Sequence, residues 1–325
     1  MSTGWWIGPR AARSGVIVGG VRSPLRELAA GQHGAFTTAQ ALLCYTRAEL
    51  RARVRSGRWI AVFTGTYRPA GSEPDARLLL AAAALAIGRP APACLHTAAE
   101  LHGFGVLDDP VTHVAVDPGA PRLRRAGLWP HQLLLGPADL TRLWCGACVT
   151  TADRTAIDLS RTLPRLDVLP VLDAALETGK CTSDSLATEL ARHVGMPGVR
   201  QARALVPLAR TGPDSPQESR MRLHCHDAGL PEPTVQLPVL GARGRAHRWI
   251  DLGWEEAKAG LEYDGEEAHG ADRRHSDRRR HNVLEDDGWA MFYATDHDIY
   301  GNPGVLMAQV ERAIARRSRG EGRSR

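Results

Sequence analysis

The chain has 325 residues, of which 43% are hydrophobic and 24% are charged, a balance that is ordinary for a globular protein. It contains no apolar run of about 18 or more residues and no compact secretory signal, so we predict a cytoplasmic protein without a membrane partner. The length allows two or three domains of about 100–200 residues each. The net charge of +5 comes mainly from arginine, which suits nucleic acid but also follows from GC-rich codon use.

The first 72 residues divide into a leader and a small domain. Residues 1–24 are rich in Gly and Arg and have no periodicity, so we expect a disordered leader. From residue 25 to residue 72 the pattern predicts a winged helix-turn-helix DNA-binding domain. Its second helix is capped by Thr46, with Glu49 at the capping-box position, and a two-stranded wing follows at 59–68.

The second helix of this domain carries the candidate DNA contacts. Leu50 and Val54 are predicted to face inward at a spacing of four, which leaves the arginines outward. The candidate contacts are Arg47, Arg51, Arg55 and Arg58. A helix that carries arginine and is followed by a β wing fits docking into the major groove of DNA. A solvated basic helix in a protein-interaction module is the alternative.

Part of this domain resembles a known family. Three segments carry the resemblance: GAFTTAQ at 34–40, TRAELRARVRSGRW at 46–59 and GTYRP at 65–69. They are similar to the N-terminal winged-helix domain of the AbiEi family of abortive-infection antitoxins. The resemblance implies DNA binding through this domain, often by an autoregulator.

Residues 73–212 are predicted to form a mixed α/β connector domain, in which no residues make a catalytic constellation. Its short strands are expected at 111–116, 133–135 and 148–150. Cys145 and Cys148 form a C-x-x-C pair, but a zinc site needs two further ligands at comparable spacing. Structural thiols are therefore favoured over a zinc or redox site.

Residues 213–318 predict an α-βββ-α-β core, and residues 319–325 a basic tail. Ser215 caps the first helix of this core, and Glu218 takes the third helical position. The three strands are expected at 234–240, 245–254 and 259–264. A basic helix over 272–287 then leads to another strand and a last helix.

Three acids are expected on the second and third strands of this core. Glu262 and Asp264 lie on one face of the third strand. In the second strand, Ile250 and Leu252 are predicted to share a face, so that Asp251 points the other way. Neighbouring carboxylates are costly to bury without a cation or hydrogen-bond donors. Arginines of the basic helix are candidate phosphate contacts: Arg273, Arg274, Arg278 and Arg279.

The order of these elements and acids resembles the PD-(D/E)XK nuclease superfamily, which has a restriction-endonuclease-like fold. More narrowly, it is similar to the very-short-patch-repair-like endonucleases and to domain-of-unknown-function family 559. The motifs are Pro216-x-Glu218, Asp251-Leu-Gly-Trp, Glu262-Tyr-Asp-Gly, His269 and Asp277-x-x-Arg280. The resemblance implies hydrolysis of phosphodiester bonds with Mg²⁺ or Mn²⁺ as cofactor.

The same resemblance implies roles for individual residues. Asp251 and Glu262 would bind the metal ion. Glu218 would bind the ion through a water molecule or orient the nucleophile, and His269 would serve as general acid or base or hold a phosphate. Asp264 stands where the superfamily usually has a lysine, which helps to position the water and to stabilise developing charge. This departure puts catalysis in doubt.

Two functions therefore stay open, and DNA is the partner in both. The first is a Mg²⁺-dependent endonuclease-like protein in phage defence or DNA repair. The alternative is a non-catalytic regulator, an antitoxin-like repressor with a degenerate nuclease domain. A homodimer is open in both, and a toxin is a partner only for the antitoxin-like role.

Overall fold

The structure is a computed structural model with a mixed α/β fold. It describes residues 17–18, 21–71, 74–121, 125–240, 246–265, 284 and 287–321. The chain divides into two compact units, Met1–Thr155 and Ala156–Arg325. The division falls inside the region predicted as a connector. Within the described ranges, no helix is long and apolar enough to cross a membrane.

The first unit begins with a strand pair, a helix and a strand that were not predicted, followed by the two helices and the two-stranded hairpin predicted within residues 25–72. In order they are β1 Ile17–Val18, β2 Val21–Arg22, α1 Ser23–Ala30, β3 Phe36–Thr37, α2 Thr38–Leu42, α3 Arg47–Arg55, β4 Trp59–Phe63 and β5 Thr66–Pro69. Strands β3, β5 and β4 form an antiparallel sheet in that spatial order. Most of the leader predicted at 1–24 lies outside the described residues.

A small aromatic core holds this segment together. Phe36 and Trp59 meet edge to face with ring centroids 4.9 Å apart, and both are buried. Tyr45 meets Trp59 in the same way at 5.0 Å. Gly65 has a φ of 82° in the β4–β5 turn, a left-handed conformation that favours glycine. Packed rings and a tight turn therefore fix the hairpin against α3.

The rest of the first unit consists of two helices, two small sheets and the start of α6. Its elements are α4 Ala76–Ile87, α5 Leu95–His102, β6 Thr112–Val116, β7 Leu128–Gln132, β8 Leu140–Arg142 and β9 Cys148–Thr150, followed by α6 Ala152–Thr162, which contains the division. Strand β7 pairs in parallel with β6. The strand predicted at 133–135 is therefore wrong, and Leu134 in that stretch is 76% exposed.

The second unit places helices before and after a four-stranded sheet. Its elements are α7 Arg165–Glu177, α8 Ser183–Ala191, α9 Val199–Leu205, α10 Pro216–Asp227, β10 Thr234–Leu240, β11 Ala246–Trp254, β12 Ala259–Tyr263, β13 Ala290–Ala294, α11 Asp296–Tyr300 and α12 Pro303–Glu321. The sheet order is β10-β11-β12-β13, antiparallel except for the parallel pair β12 and β13. Most of the basic helix predicted over 272–287 lies outside the described residues.

Strand β11 changes its packing faces in the middle. Leu252 packs in one buried cluster with Leu261, whereas Ile250 packs in a separate cluster with Leu237. The prediction that Ile250 and Leu252 share a face is therefore wrong. The change coincides with an irregularity at Gln236, which has a φ of 49° and lies between the paired positions Val235 and Leu237 on β10. Asp251, between Ile250 and Leu252, stands at this irregularity.

Candidate functional site

Helix α3 presents a stripe of exposed arginines. Arg47, Arg51 and Arg55 follow one another at spacings of four, so their side chains lie on one side of the helix, and all three are exposed. Arg58, just beyond the helix, is exposed as well. Leu50, three residues after Arg47, is buried. The structure thus places all four predicted arginines at the surface of one short segment.

Local contacts fix this helix in place. Thr46 accepts a hydrogen bond from the Glu49 N–H at 3.2 Å, and the Glu49 carboxylate accepts one from the Thr46 N–H at 2.7 Å. Such a capping box satisfies two backbone donors at the start of a helix. Arg53 differs from the arginines of the exposed stripe, because its guanidinium lies over the rings of Tyr45 and Trp59 at 4.6 and 5.5 Å. Its side chain is half-buried against these rings.

The predicted acids of the second unit gather where α10 meets the sheet. Glu218 is buried and accepts hydrogen bonds from the Asp214 N–H, the Ser215 hydroxyl and the Gln236 amide, each at 2.9 Å. Ser215 in turn caps α10 by accepting from the Glu218 N–H at 3.2 Å. Glu218 therefore accepts hydrogen bonds at the start of α10 and also links α10 to β10 through Gln236.

Asp251 is the most perturbed of these acids. Its Oδ2 accepts a hydrogen bond from the Tyr263 N–H at 3.0 Å. Burial, together with the negative charges of Glu218, Glu262 and Asp214, raises the pKa of Asp251 to about 7, against the lowering effect of the Tyr263 hydrogen bond. A carboxyl group in this state exchanges its proton near neutral pH.

Glu262 forms an ion pair that the sequence did not indicate. Nη2 of Arg248 lies 2.8 Å from Oε1 and 2.6 Å from Oε2 of Glu262, and Nε lies 3.3 Å from Oε1. The two side chains are only 16% and 14% exposed. Arg248 lies on β11, three residues before Asp251. A cationic side chain so close to a predicted metal ligand was the only sign of this ion pair in the sequence.

The remaining predicted site residues lie apart from this pair or outside the described residues. Asp264 is exposed, and its backbone N–H donates to the Ala294 carbonyl at 2.8 Å. Lys258, the nearest lysine before Glu262, donates instead to the Asp287 carbonyl at 2.9 Å. The predicted residues outside the described part are His269, Arg273, Arg274, Arg278 and Arg279.

The divalent ion implied by the nuclease resemblance does not fit these donors as they stand. Mg²⁺ needs oxygen ligands with open lone pairs, but both oxygens of Glu262 face Arg248 and both oxygens of Glu218 accept hydrogen bonds. Within the described residues, no three His, Cys, Asp or Glu side chains are arranged to hold a metal ion. Cys145 and Cys148, half-buried free thiols, fall within that search.

Replacing Asp251 with asparagine is expected to stabilise the protein more at pH 8 than at pH 5. The raised pKa of about 7 means that folding favours the protonated carboxyl group, so this stability is lost as pH rises from about 4 to about 7. The pKa shift sets an upper bound of about 4 kcal/mol on the free energy of unfolding that ionisation of Asp251 removes. Because the side chain is partly exposed, we expect a loss of about 2 kcal/mol. Urea unfolding of both proteins at the two pH values measures this. If the variant and the wild type differed in unfolding free energy by the same amount at pH 5 and pH 8, the raised pKa of Asp251 would be contradicted.

The first unit contains a histidine cluster that the sequence did not reveal. Nδ1 of His113 lies 2.8 Å from Nε2 of His131, and its Nε2 lies 3.0 Å from Oδ2 of Asp109. Burial lowers the pKa of His113, against the raising effect of Asp109. His96 lies 3.8 Å from the same Asp109 oxygen. Four residues spread over the sequence thus form one polar cluster.

Comparison with known proteins links one part of the chain to an antitoxin domain. Residues 91–208 match the family model of the AbiEi antitoxin C-terminal domain. Two Mycobacterium tuberculosis proteins are each 34% identical to the chain over 272 residues: uncharacterized protein MT2308 of strain CDC 1551 / Oshkosh and uncharacterized protein Rv2248 of strain ATCC 25618 / H37Rv. The matches cover 83% of this chain and 98% of each relative.

The antitoxin match lies in an unexpected part of the chain. The sequence resemblance was carried by residues 34–69, whereas the family model covers 91–208, most of the predicted connector. That region contains no catalytic constellation, and the sequence predicted only an α/β connector there. The chain therefore belongs to the same family as the two mycobacterial proteins, and its residues 91–208 match an AbiEi antitoxin C-terminal domain.

Proposed function

We propose that this protein is a DNA-binding regulator of the antitoxin type that acts in the cytoplasm. In this proposal residues 23–69 form a winged helix, with α3 as the recognition helix and the β4–β5 hairpin as the wing. The exposed stripe of Arg47, Arg51 and Arg55 carries the proposal. The match of residues 91–208 to an antitoxin domain supports it independently.

The dimensions of α3 suit the major groove. The groove is about 12 Å wide and admits one helix. Residues four apart on a helix are separated by about 6 Å along its axis, so three arginines at this spacing span about 12 Å. Guanidinium groups bind phosphate oxygens or guanine edges with two hydrogen bonds. In this proposal Arg58, beside the wing, contacts the DNA backbone.

The antitoxin domain suggests a second partner. We infer that the part of the chain matching the AbiEi antitoxin C-terminal domain serves a toxin interaction, in addition to DNA binding by α3. A homodimer would place two copies of α3 on half-sites about one helical turn of DNA apart. An inverted repeat in the recognised sequence would reveal such a dimer.

Selection from a random DNA library tests the proposed function. The full-length protein, in buffer with EDTA, is expected to enrich duplexes that share one motif. EDTA removes divalent ions, so enrichment under this condition reports binding without hydrolysis. Enrichment of unrelated sequences in every repeat would contradict a regulator, because phosphate contacts alone carry no sequence information.

A Mg²⁺-dependent nuclease is the second candidate, and one observation favours it. Burial, together with the nearby charges of Glu218 and Glu262, raises the pKa of Asp251, and perturbed acids of this kind mark many catalytic sites. The test is nicking of supercoiled plasmid with Mg²⁺ or Mn²⁺. Nicking that disappears in Asp251→Asn would favour the nuclease, whereas intact plasmid at high protein concentration favours the regulator.

A further inference from the structure

Arg248 supplies the positive charge that the partly buried carboxylate of Glu262 on β12 would otherwise need from another cation. Its Nη2 is within 2.8 Å of both carboxylate oxygens of Glu262. Only 16% of the Arg248 side chain and 14% of the Glu262 side chain are exposed. The pair is thus much less exposed than the Arg165–Asp227 pair of the same unit, whose side chains are 42% and 41% exposed.

The guanidinium group and a divalent ion would compete for the same oxygens. A metal ion bound by Glu262 needs the lone pairs that now accept the Arg248 N–H groups. Two cations within about 4 Å of each other would also repel strongly in a partly buried site. Metal binding at Glu262 and the ion pair with Arg248 therefore exclude each other.

The ion pair is incomplete on the arginine side. Within the described part of the chain, Nη1 of Arg248 is buried and has no hydrogen-bond partner. A buried donor without a partner loses its hydration without compensation. This cost lowers the net stability of the pair, so the guanidinium can be displaced without loss of a fully satisfied network.

We propose that Arg248 is an internal counter-cation of Glu262. Its guanidinium group must leave Glu262 before a divalent metal ion can bind the Glu262 carboxylate on β12. The contact works as an inhibitory latch in the second unit. It acts on metal binding alone, so it stands whether or not the first unit binds DNA. Arg248 accounts for the part of the disagreement between the nuclease resemblance and the observed donor set that concerns Glu262.

The experiment is a titration of the full-length protein with Mn²⁺, followed by the electron paramagnetic resonance signal of free Mn²⁺. In Arg248→Gln we expect affinity at least about tenfold above the wild type, because one opposing charge is gone. Adding Glu262→Gln to this variant should abolish the gain. Arg165→Gln removes an equal charge from an exposed pair and should bind as weakly as the wild type.

Two results would overturn the proposal. One is a wild-type protein that binds Mn²⁺ as tightly as Arg248→Gln. The other is a gain that survives in the double variant, because the ion would then sit away from Glu262. Circular dichroism checks the fold of each variant. If Arg248→Gln does not fold, the wild type decides: Mn²⁺ binding that Glu262→Gln removes overturns the latch, and absence of such binding supports it.

Discussion

Replacing Arg51 and Arg55 together with glutamine is expected to weaken DNA binding by about 30-fold at 0.15 M salt. Each arginine that neutralises a phosphate contributes about 0.9 to the slope of log affinity against log salt concentration. Two lost contacts thus lower the slope by about 1.8, which corresponds to about 30-fold at this salt concentration. Fluorescence anisotropy with a labelled duplex over a range of salt concentrations measures both quantities.

A matched pair of arginines in the second unit provides the control. Arg200 and Arg203 are exposed on α9, and their replacement by glutamine removes the same total charge. We expect affinity and salt slope close to the wild type. Equal losses in the two double variants would mean that overall charge, and not helix α3, controls binding.

Removing Arg222 is expected to destabilise the second unit by about 3–5 kcal/mol. Nη2 of Arg222 lies 2.9 and 2.7 Å from the two oxygens of Asp173, and both side chains are at most 4% exposed. Burial raises the pKa of Asp173, although Arg222 and the Arg210 N–H oppose this. Arg222→Met leaves the Asp173 charge buried without its partner, which is the expensive case for buried ion pairs. Urea unfolding measures the change.

The same two helices carry the control for this prediction. Arg165 on α7 and Asp227 on α10 form an exposed pair. Such pairs contribute little, so Arg165→Met should cost less than about 1 kcal/mol. The double variant Arg222→Met with Asp173→Leu should regain much of the lost stability, because no charge stays buried. Similar losses for Arg222→Met and Arg165→Met would show that burial does not decide the energetics of these pairs.

Local signals predicted α3 and α10. Thr46 and Ser215 start α3 and α10 as the sequence indicated, because a capping hydroxyl followed by an acid three residues later satisfies the first backbone donors. The hairpin of β4 and β5 followed from its glycine turn. These features depend on neighbours within a few residues, so they are visible in the sequence alone.

Features that depend on distant residues were not predictable. Strand β7 contains Pro130 and forms because it pairs with β6, a partner that periodicity does not reveal. The change of faces in β11 lies beside the left-handed backbone of Gln236 in the neighbouring strand. The Arg248–Glu262 pair joins residues 14 positions apart on two strands. Each of these three features can be recognised only from the three-dimensional structure.

The most direct test of the regulator is the affinity of the full-length protein for the duplex enriched in EDTA, compared with a shuffled duplex of the same composition. Regulators prefer their own sites by about 10³-fold or more. We predict such a ratio at 0.15 M salt, with no requirement for divalent ions. Equal affinity for the two duplexes would contradict sequence-specific binding through α3.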